Sequence, residues 1–297
     1  MLRRSGGLRV LESPALAQLG WLVHGFSTRA GGASELETLR DDRKRIEEVL
    51  NLGFTGWDSR EHVLENRKKF LHAIGASKMR LVALRQIHSD IAHRVDRSEE
   101  SDVAYTPRGD ALFTGERGVL LAVETADCLP ILLADTRRRA VAAVHAGWRG
   151  TLCRVAEKTL GRMRMEFGTQ AEDVIAAFGP AIGRCCCEVG REVANEFQAQ
   201  FEGAREWFDG PFEVLAAGDN DPNWLPWLTM MPPGHQPPPP RVHLDLIAAN
   251  HAMLAEAGVA PENIHSSSYC TACRTDLFFS YRREHTTGRL MAAIGIC

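Results

Sequence analysis

The 297-residue chain is predicted to fold as a single α+β domain, and three features carry that prediction. Apolar runs of strand length recur along it, each bounded by turn chemistry. Amphipathic helices closed by glycine lie between them. With 44% hydrophobic residues, the composition supplies one sizeable core.

Trp21 to Ser27 reads as the first strand. The turn Thr28-Arg29-Ala30-Gly31-Gly32 follows, and its paired glycines permit positive φ and close approach of backbone to a ligand. Arg29 in that turn is a candidate for substrate binding. His24 is either a packed strand residue, the commoner use of such a histidine, or a ligand. Ser34 to Leu50 carries charges at helical spacings such as Glu35/Leu39 and Asp41/Arg45, and reads as a solvated surface helix or loop. Ser59 to Ile74 is a clearer helix, with Val63, Leu64, Phe70, Leu71 and Ile74 on its apolar face and Gly75 at its end. Arg80 to His88 reads as a strand whose Gln86 and His88 share one face. At the strand end, His88 is a better ligand candidate than His93.

Gly109 to Gly150 is the richest stretch. Strands are expected at Val119 to Val123, Ile131 to Ala134 and Ala140 to His145. Asp135 to Arg139 is the polar turn of a hairpin, and Cys128 and His145 are equidistant from its middle. They would then oppose each other across the ladder with Cβ atoms about 4.5–5.5 Å apart. Arg149 precedes a helix running from Thr151 to Phe167, where free amides and the macrodipole favour an anion. Its partner is a carboxylate of the protein or a substrate phosphate.

Further on, Asp173 to Phe178 reads as a strand, Gly179 to Gly183 as a turn and Glu188 to Phe201 as a helix. Of the adjacent Cys185, Cys186 and Cys187, not all can face one metal, so packing by one or two is expected. Residues 218–240 change abruptly to Asn, Asp, Trp and four successive prolines, a long loop or lid. Trp224 and Trp227 there cap an aromatic substrate or fix the loop to the surface. Leu244 to Gly258 is a core-like helix, and Ile264 to Tyr269 and Leu290 to Ile296 are strands. Cys270 and Cys273 form a C-x-x-C without a second cysteine pair at zinc-ribbon spacing.

A formal charge of −3 gives no general attraction to nucleic acid or anionic lipid. No apolar run approaches the roughly 20 residues that span a bilayer, and the first residues lack a long hydrophobic region, so a cytoplasmic location is expected. Eight cysteines in a chain with this much core are expected to be reduced. Neither G-x-G-x-x-G nor the P-loop pattern occurs, and no H-x-H pair supports a multicopper cluster.

His88, Cys128 and His145 each fall at or beyond a strand edge. Two nitrogens and a thiolate suit zinc and leave the fourth tetrahedral position for water, the pattern of a catalytic site. The rival use is covalent, with Cys128 as nucleophile, His145 as its base and Asp127 or Gln86 orienting.

The strings HGFSTRAGG, NLGF with ENR, LRQIH, GDALFT, TADCLPILLAD, VHAGWRG, GPAIG with CCEVG, and FFSYRR followed by TGR occur in this order. In these the chain resembles the laccase-domain or purine nucleoside phosphorylase family, once labelled polyphenol oxidase. The resemblance implies a sandwich of mixed β-sheets flanked by helices, and zinc-dependent phosphorolysis of adenosine, inosine, guanosine and methylthioadenosine together with adenosine deamination. It implies a metal triad of His88, Cys128 and His145, the residues reached above. Asp127 is read as a catalytic residue and Arg149, Gln86 and Arg29 as substrate-binding residues, with purine nucleoside and phosphate as partners of a monomer or homodimer. Nucleic acid and membrane are not expected partners. Residues 33–50 and 218–241 look like insertions into one domain spanning 1–297. Where the family reads GPCCYEV, this chain has Gly183-Arg184-Cys185-Cys186-Cys187-Glu188-Val189. A metal-free Cys-His hydrolase or deamidase, and a non-catalytic purine- or zinc-binding protein, are the alternatives.

Overall fold

Two six-stranded mixed sheets stack face to face in a computed structural model that describes residues 1–40, 43–96, 107–210 and 241–297. The first sheet runs β1 (Leu2–Ser5), β2 (Leu8–Leu11), β3 (Leu22–Ser27), β17 (Leu290–Ile296), β9 (Val119–Thr125) and β6 (Arg80–Val82). The second runs β16 (Ile264–Ser266), β12 (Val174–Phe178), β10 (Leu129–Asp135), β11 (Ala140–Ala146), β8 (Ala111–Thr114) and β7 (Ala92–Arg94).

Side-chain alternation explains the layers. Val119, Leu121 and Val123 of β9 meet Leu132, Ala134, Val141 and Ala143 of the second sheet in one core between the sheets. Leu120 and Ala122 point the other way, onto Phe70, Ala73 and Ile74. Those three belong to the helix α2 (Arg60–Ala73) and its C-cap, and Ser59 caps the N-terminus by accepting from the His62 amide. On the far side, Ala142 and Val144 pack against Val155, Leu160 and Met163 of α4 (Val155–Phe167). The order is helix, sheet, sheet, helix, as expected of a sandwich of mixed sheets flanked by helices. Among the described residues no helix is long and apolar enough to cross a membrane.

Five expectations need correction. The helix expected over Thr151–Phe167 is two, α3 (Trp148–Leu152), which contains Arg149, and α4, which begins at Val155 after Arg154 at φ 60°. In place of the helix or loop expected from residue 34 to residue 50, β4 (Ala30–Arg40) and β5 (Arg43–Val49) pair as antiparallel strands. Ser34 and Leu36 are buried while Glu35 and Glu37 are exposed, a period of two that the helical charge spacings obscured. The strand expected at Arg80–His88 stops at Val82, and His88 itself has φ 59°. Glu188–Phe201 divides into β13 (Glu188–Val189) and α5 (Arg191–Gln200). The β10–β11 hairpin pairs His145 with Pro130, two residues along from Cys128. The lid expected at 218–240, with Trp224 and Trp227, lies outside the described residues.

Candidate active site and metal centre

β9 and β10 lie in different sheets, and Ala126-Asp127-Cys128 carries the chain from one to the other. Making that step so short puts Asp127 at φ 95°, a conformation costly for a residue with a side chain. Cys128 keeps the side-chain parity of Pro130, which is paired with His145, so the thiol and the imidazole project to the same face as diagonal neighbours. That face is the one Leu132, Val141 and Ala143 turn toward the other sheet, so both groups sit where the core between the sheets opens.

The third member comes from the loop after β6. Cys128 Sγ lies 3.9 Å from His88 Nε2, and the His88 and His145 rings meet edge to face with centroids 5.0 Å apart. One ligand atom from each of His88, Cys128 and His145 fits within a 4.8 Å span. Gly147 leaves room for them: a Cβ there would stand 2.9 Å from the Cys128 sulfur and 3.0 Å from His88 Cδ2.

Asp110, fully buried, organises the group. Its Oδ1 accepts from His145 Nδ1 at 2.9 Å and from the His88 amide at 3.0 Å. Its Oδ2 accepts from the amides of Ile87 and Ser89 and from the Ser89 hydroxyl. One carboxylate therefore fixes the His88 loop and commits His145 Nδ1, leaving Nε2 for the site. A carboxylate–histidine pair behind a ligand nitrogen is the arrangement that orients and strengthens metal-binding imidazoles. Two imidazoles, one thiolate and this backing carboxylate fit a tetrahedral cation with an open position, and the trio can hold a metal ion.

The charges reinforce one another. Burial pushes the Cys128 thiol up, but the facing His145 charge and hydrogen bonds from both histidines override it and hold it at about 6. Burial pushes His145 down, and the Cys128 sulfur and Asp110 reverse this, raising it to about 9. Burial also acts to raise Asp110, and the bonds from His145 and Ser89 prevail, holding it at about 2. The sulfur is thus a ready anion at neutral pH, as a metal ligand or a nucleophile must be.

The trio opens into a cleft of about 1300 Å³. Its walls carry Arg60, Arg67, Arg85, Arg282 and Arg289, and the exposed rings of Phe54 and Tyr281. Arg60 and Arg67 lie over the Phe54 ring, at 5.0 and 4.5 Å from its centroid. Glu124 also faces the cleft and pairs with Arg67 at 2.6 Å. Its burial raises its carboxyl above the ordinary value despite Arg67 and Arg289.

The remaining sequence candidates take other places. Asp127 lines the cleft, yet its carboxylate accepts from the Thr271 hydroxyl and the Arg282 amide, both at 2.7 Å, which anchors two loops. Gln86 lines the cleft and clamps β9: its amide oxygen accepts from the Glu124 amide and its nitrogen donates to the Glu124 carbonyl, both at 2.7 Å, which leaves its second N–H uncommitted. Arg29 is buried at 2% exposure, donating to Glu284 at 2.6 Å, Glu47 at 3.3 Å and the Thr275 carbonyl, and does not line the cleft. Arg149 is exposed on the five-residue helix α3 (Trp148–Leu152), with its guanidinium over the Trp148 ring at 4.3 Å, also outside the cleft lining. Sequence reasoning missed Asp110, although an aspartate ahead of the fully apolar Ala111-Leu112-Phe113 was a signal.

The fold and site together define a two-sheet sandwich with a His2Cys centre capable of holding metal at the mouth of its core. The chain belongs to the family described as multi-copper polyphenol oxidoreductase laccase, whose model matches residues 23–297. A purine nucleoside phosphorylase of Deinococcus radiodurans is 36% identical over 98% of this chain and 94% of its own length. Adenosine deaminase RL5, from an unknown prokaryotic organism, is 33% identical over 88% of each chain. The crystal structure of YlmD from Geobacillus stearothermophilus superposes with a TM-score of 0.76 at 30% identity, covering 99% of this chain and 96% of that one. The chain spans 56% of the length of the human purine nucleoside phosphorylase LACC1, to which it is 28% identical.

Proposed function

We propose that this protein is a zinc-dependent purine nucleoside phosphorylase that also deaminates adenosine, acting on adenosine, inosine, guanosine and methylthioadenosine in the cytoplasm. The observation that carries the reading is the His88–Cys128–His145 group on the floor of an arginine-walled cleft. The activities named for its relatives agree with it. Zinc held by His88 Nε2, Cys128 Sγ and His145 Nε2 would supply a Lewis acid to an oxygen of the substrate or of water. Phe54 and Tyr281 offer flat surfaces for a purine. The wall arginines hold phosphate, whose oxygen attacks the anomeric carbon as the bond to the base breaks. Arg85 suits this best, being exposed and without an ion pair among the described residues. Glu124, in the cleft wall with its carboxyl raised by burial, would pass a proton to the departing base or to the purine ring.

Incubating the pure protein with adenosine, with and without phosphate, tests this reading. Adenine and ribose 1-phosphate should form only with phosphate, and inosine should form without it. A protein that yields neither product with full zinc occupancy is not this enzyme.

The low Cys128 and high His145 values favour one other reading, a thiolate–imidazolium pair attacking substrate directly. Covalent trapping of Cys128 by an electrophile, in competition with substrate, in a protein active without metal would establish it.

A further inference from the structure

A second group of sulfurs lies outside the cleft chemistry. The loop Gly183–Cys187 and the turn Cys270–Cys273 meet through a backbone bridge between Ala181 and Cys270. There the Sγ atoms of Cys185, Cys186, Cys270 and Cys273 all lie within 4.8 Å of one another. Cys273 Sγ is 3.6 Å from that of Cys185 and 3.4 Å from that of Cys186. The second cysteine pair that the sequence lacks at zinc-ribbon spacing is supplied in space by residues more than eighty positions earlier. Cys187, in contrast, is 5% exposed and packs in the apolar cluster with Phe197 and Leu244. Two of the three adjacent thiols face the group and one packs, which resolves the stereochemical objection to a triple cysteine.

We propose that Cys185, Cys186, Cys270 and Cys273 form a structural tetrathiolate zinc site that ties these two loops together. Zinc–sulfur bonds of about 2.3 Å in a tetrahedron separate the sulfurs by about 3.8 Å, slightly more than the 3.4 and 3.6 Å seen from Cys273 and within the 4.8 Å span of the group. A disulfide would single out one partner, whereas Cys273 is almost equally near two. Four soft donors without carboxylate or water select zinc over the hard divalent cations. Two of the sulfurs face donors: Cys270 Sγ accepts from the Gly183 amide at 3.1 Å and from the Cys273 amide, and Arg283 Nη2 points at Cys186 Sγ at 3.6 Å. Gly183 is the cradle, since a Cβ there would press within 3.5 Å of the Cys185 and Cys270 sulfurs. Cys185 and Cys273 are exposed, so an ion reaches the site from solvent.

The first loop reaches the cleft wall at Ile182 and Cys187, and both loops are bonded to Asp127 there. The Ile182 amide donates to the Asp127 carbonyl at 2.8 Å and the Thr271 hydroxyl to its carboxylate. Metal here therefore braces the strained Ala126–Cys128 crossover from behind without touching substrate.

The site is independent of the proposed function, and the experiment separates them. Full-length Cys128→Ala/His145→Ala protein, with its thiols reduced, is titrated with cobalt and with zinc. It should take up one ion per chain and show intense thiolate-to-cobalt charge-transfer absorption, which Cys270→Ser/Cys273→Ser added to that background abolishes. Cadmium NMR of the unmodified chain needs no folded variant and should show a resonance in the tetrathiolate region. Absence of that resonance, cobalt uptake without charge transfer, or a disulfide among these four residues in protein kept under reductant would overturn the proposal. Loss of metal from His88, Cys128 and His145 alone leaves every one of these readouts unchanged.

Discussion

At the scale of single residues, the site depends on a carboxylate that never meets substrate. Asp110 receives five hydrogen bonds from His145, Ser89 and the 87–89 backbone, so its charge holds both histidines in place. Asp110→Asn should weaken zinc binding by roughly 10- to 100-fold, the range for lost ligand-backing contacts, as read by competition with a chromogenic chelator. Unchanged affinity would mean that Asp110 serves the loop alone. Arg85→Ala should raise the KM for phosphate by roughly 10- to 100-fold, the worth of one or two hydrogen bonds to a charged group, and leave deamination within about threefold. Equal losses in both reactions would assign Arg85 to the nucleoside instead. Arg149→Ala, outside the cleft, should alter neither. His88, Cys128 and His145 were legible because each falls at or just beyond the edge of an expected strand. Asp110 was not, because its work is done through partners 21 to 35 residues distant.

At the scale of elements, a two-residue difference in the β10–β11 pairing left the site intact, because a strand keeps its faces under an even shift and exchanges them under an odd one. The expected partner of His145 was Cys128 and the actual partner is Pro130, so both lie on the face toward the other sheet. The error at residues 34–50 has a different cause. Charged residues three or four apart fit a helix, but Leu36 and Val49 have only the interior to occupy, and the antiparallel pairing of β4 with β5 delivers both. Strand β3 carries a testable consequence in His24, buried at 5% exposure with Nε2 accepting the Ser13 amide. Burial, with smaller contributions from nearby positive charge, lowers it to about 4. The unfolded chain takes up that proton near 6.5 and the folded chain only near 4, so stability is full above 6.5 and falls as the pH drops through this window. The loss at pH 4.5 should be about 2–3 kcal/mol in urea unfolding and should largely vanish in His24→Gln. An imidazole titrating in the folded protein near 6.5 would contradict the burial argument.

At the scale of the whole molecule, the sandwich was legible as strands and helices but not as a stacking order. β17 lies between β3 and β9, joining segments from opposite ends of the chain, and no local pattern encodes such a pairing. The same limit hid the four-sulfur group, whose halves meet at the Ala181–Cys270 bridge. What the architecture achieves is to bring a short, strained crossover between sheets, a loop after β6 and the end of β11 to one point at the mouth of the core. If that point is a catalytic metal centre, its occupancy must govern activity. The direct test is to remove zinc from the pure protein with a chelator, verify the removal by elemental analysis, and follow adenosine turnover as zinc is returned. Turnover should vanish in the stripped protein, return with the ion, and fail to return in His145→Ala. Full turnover by protein verified to be free of metal would contradict the account and leave Cys128 and His145 as a covalent pair.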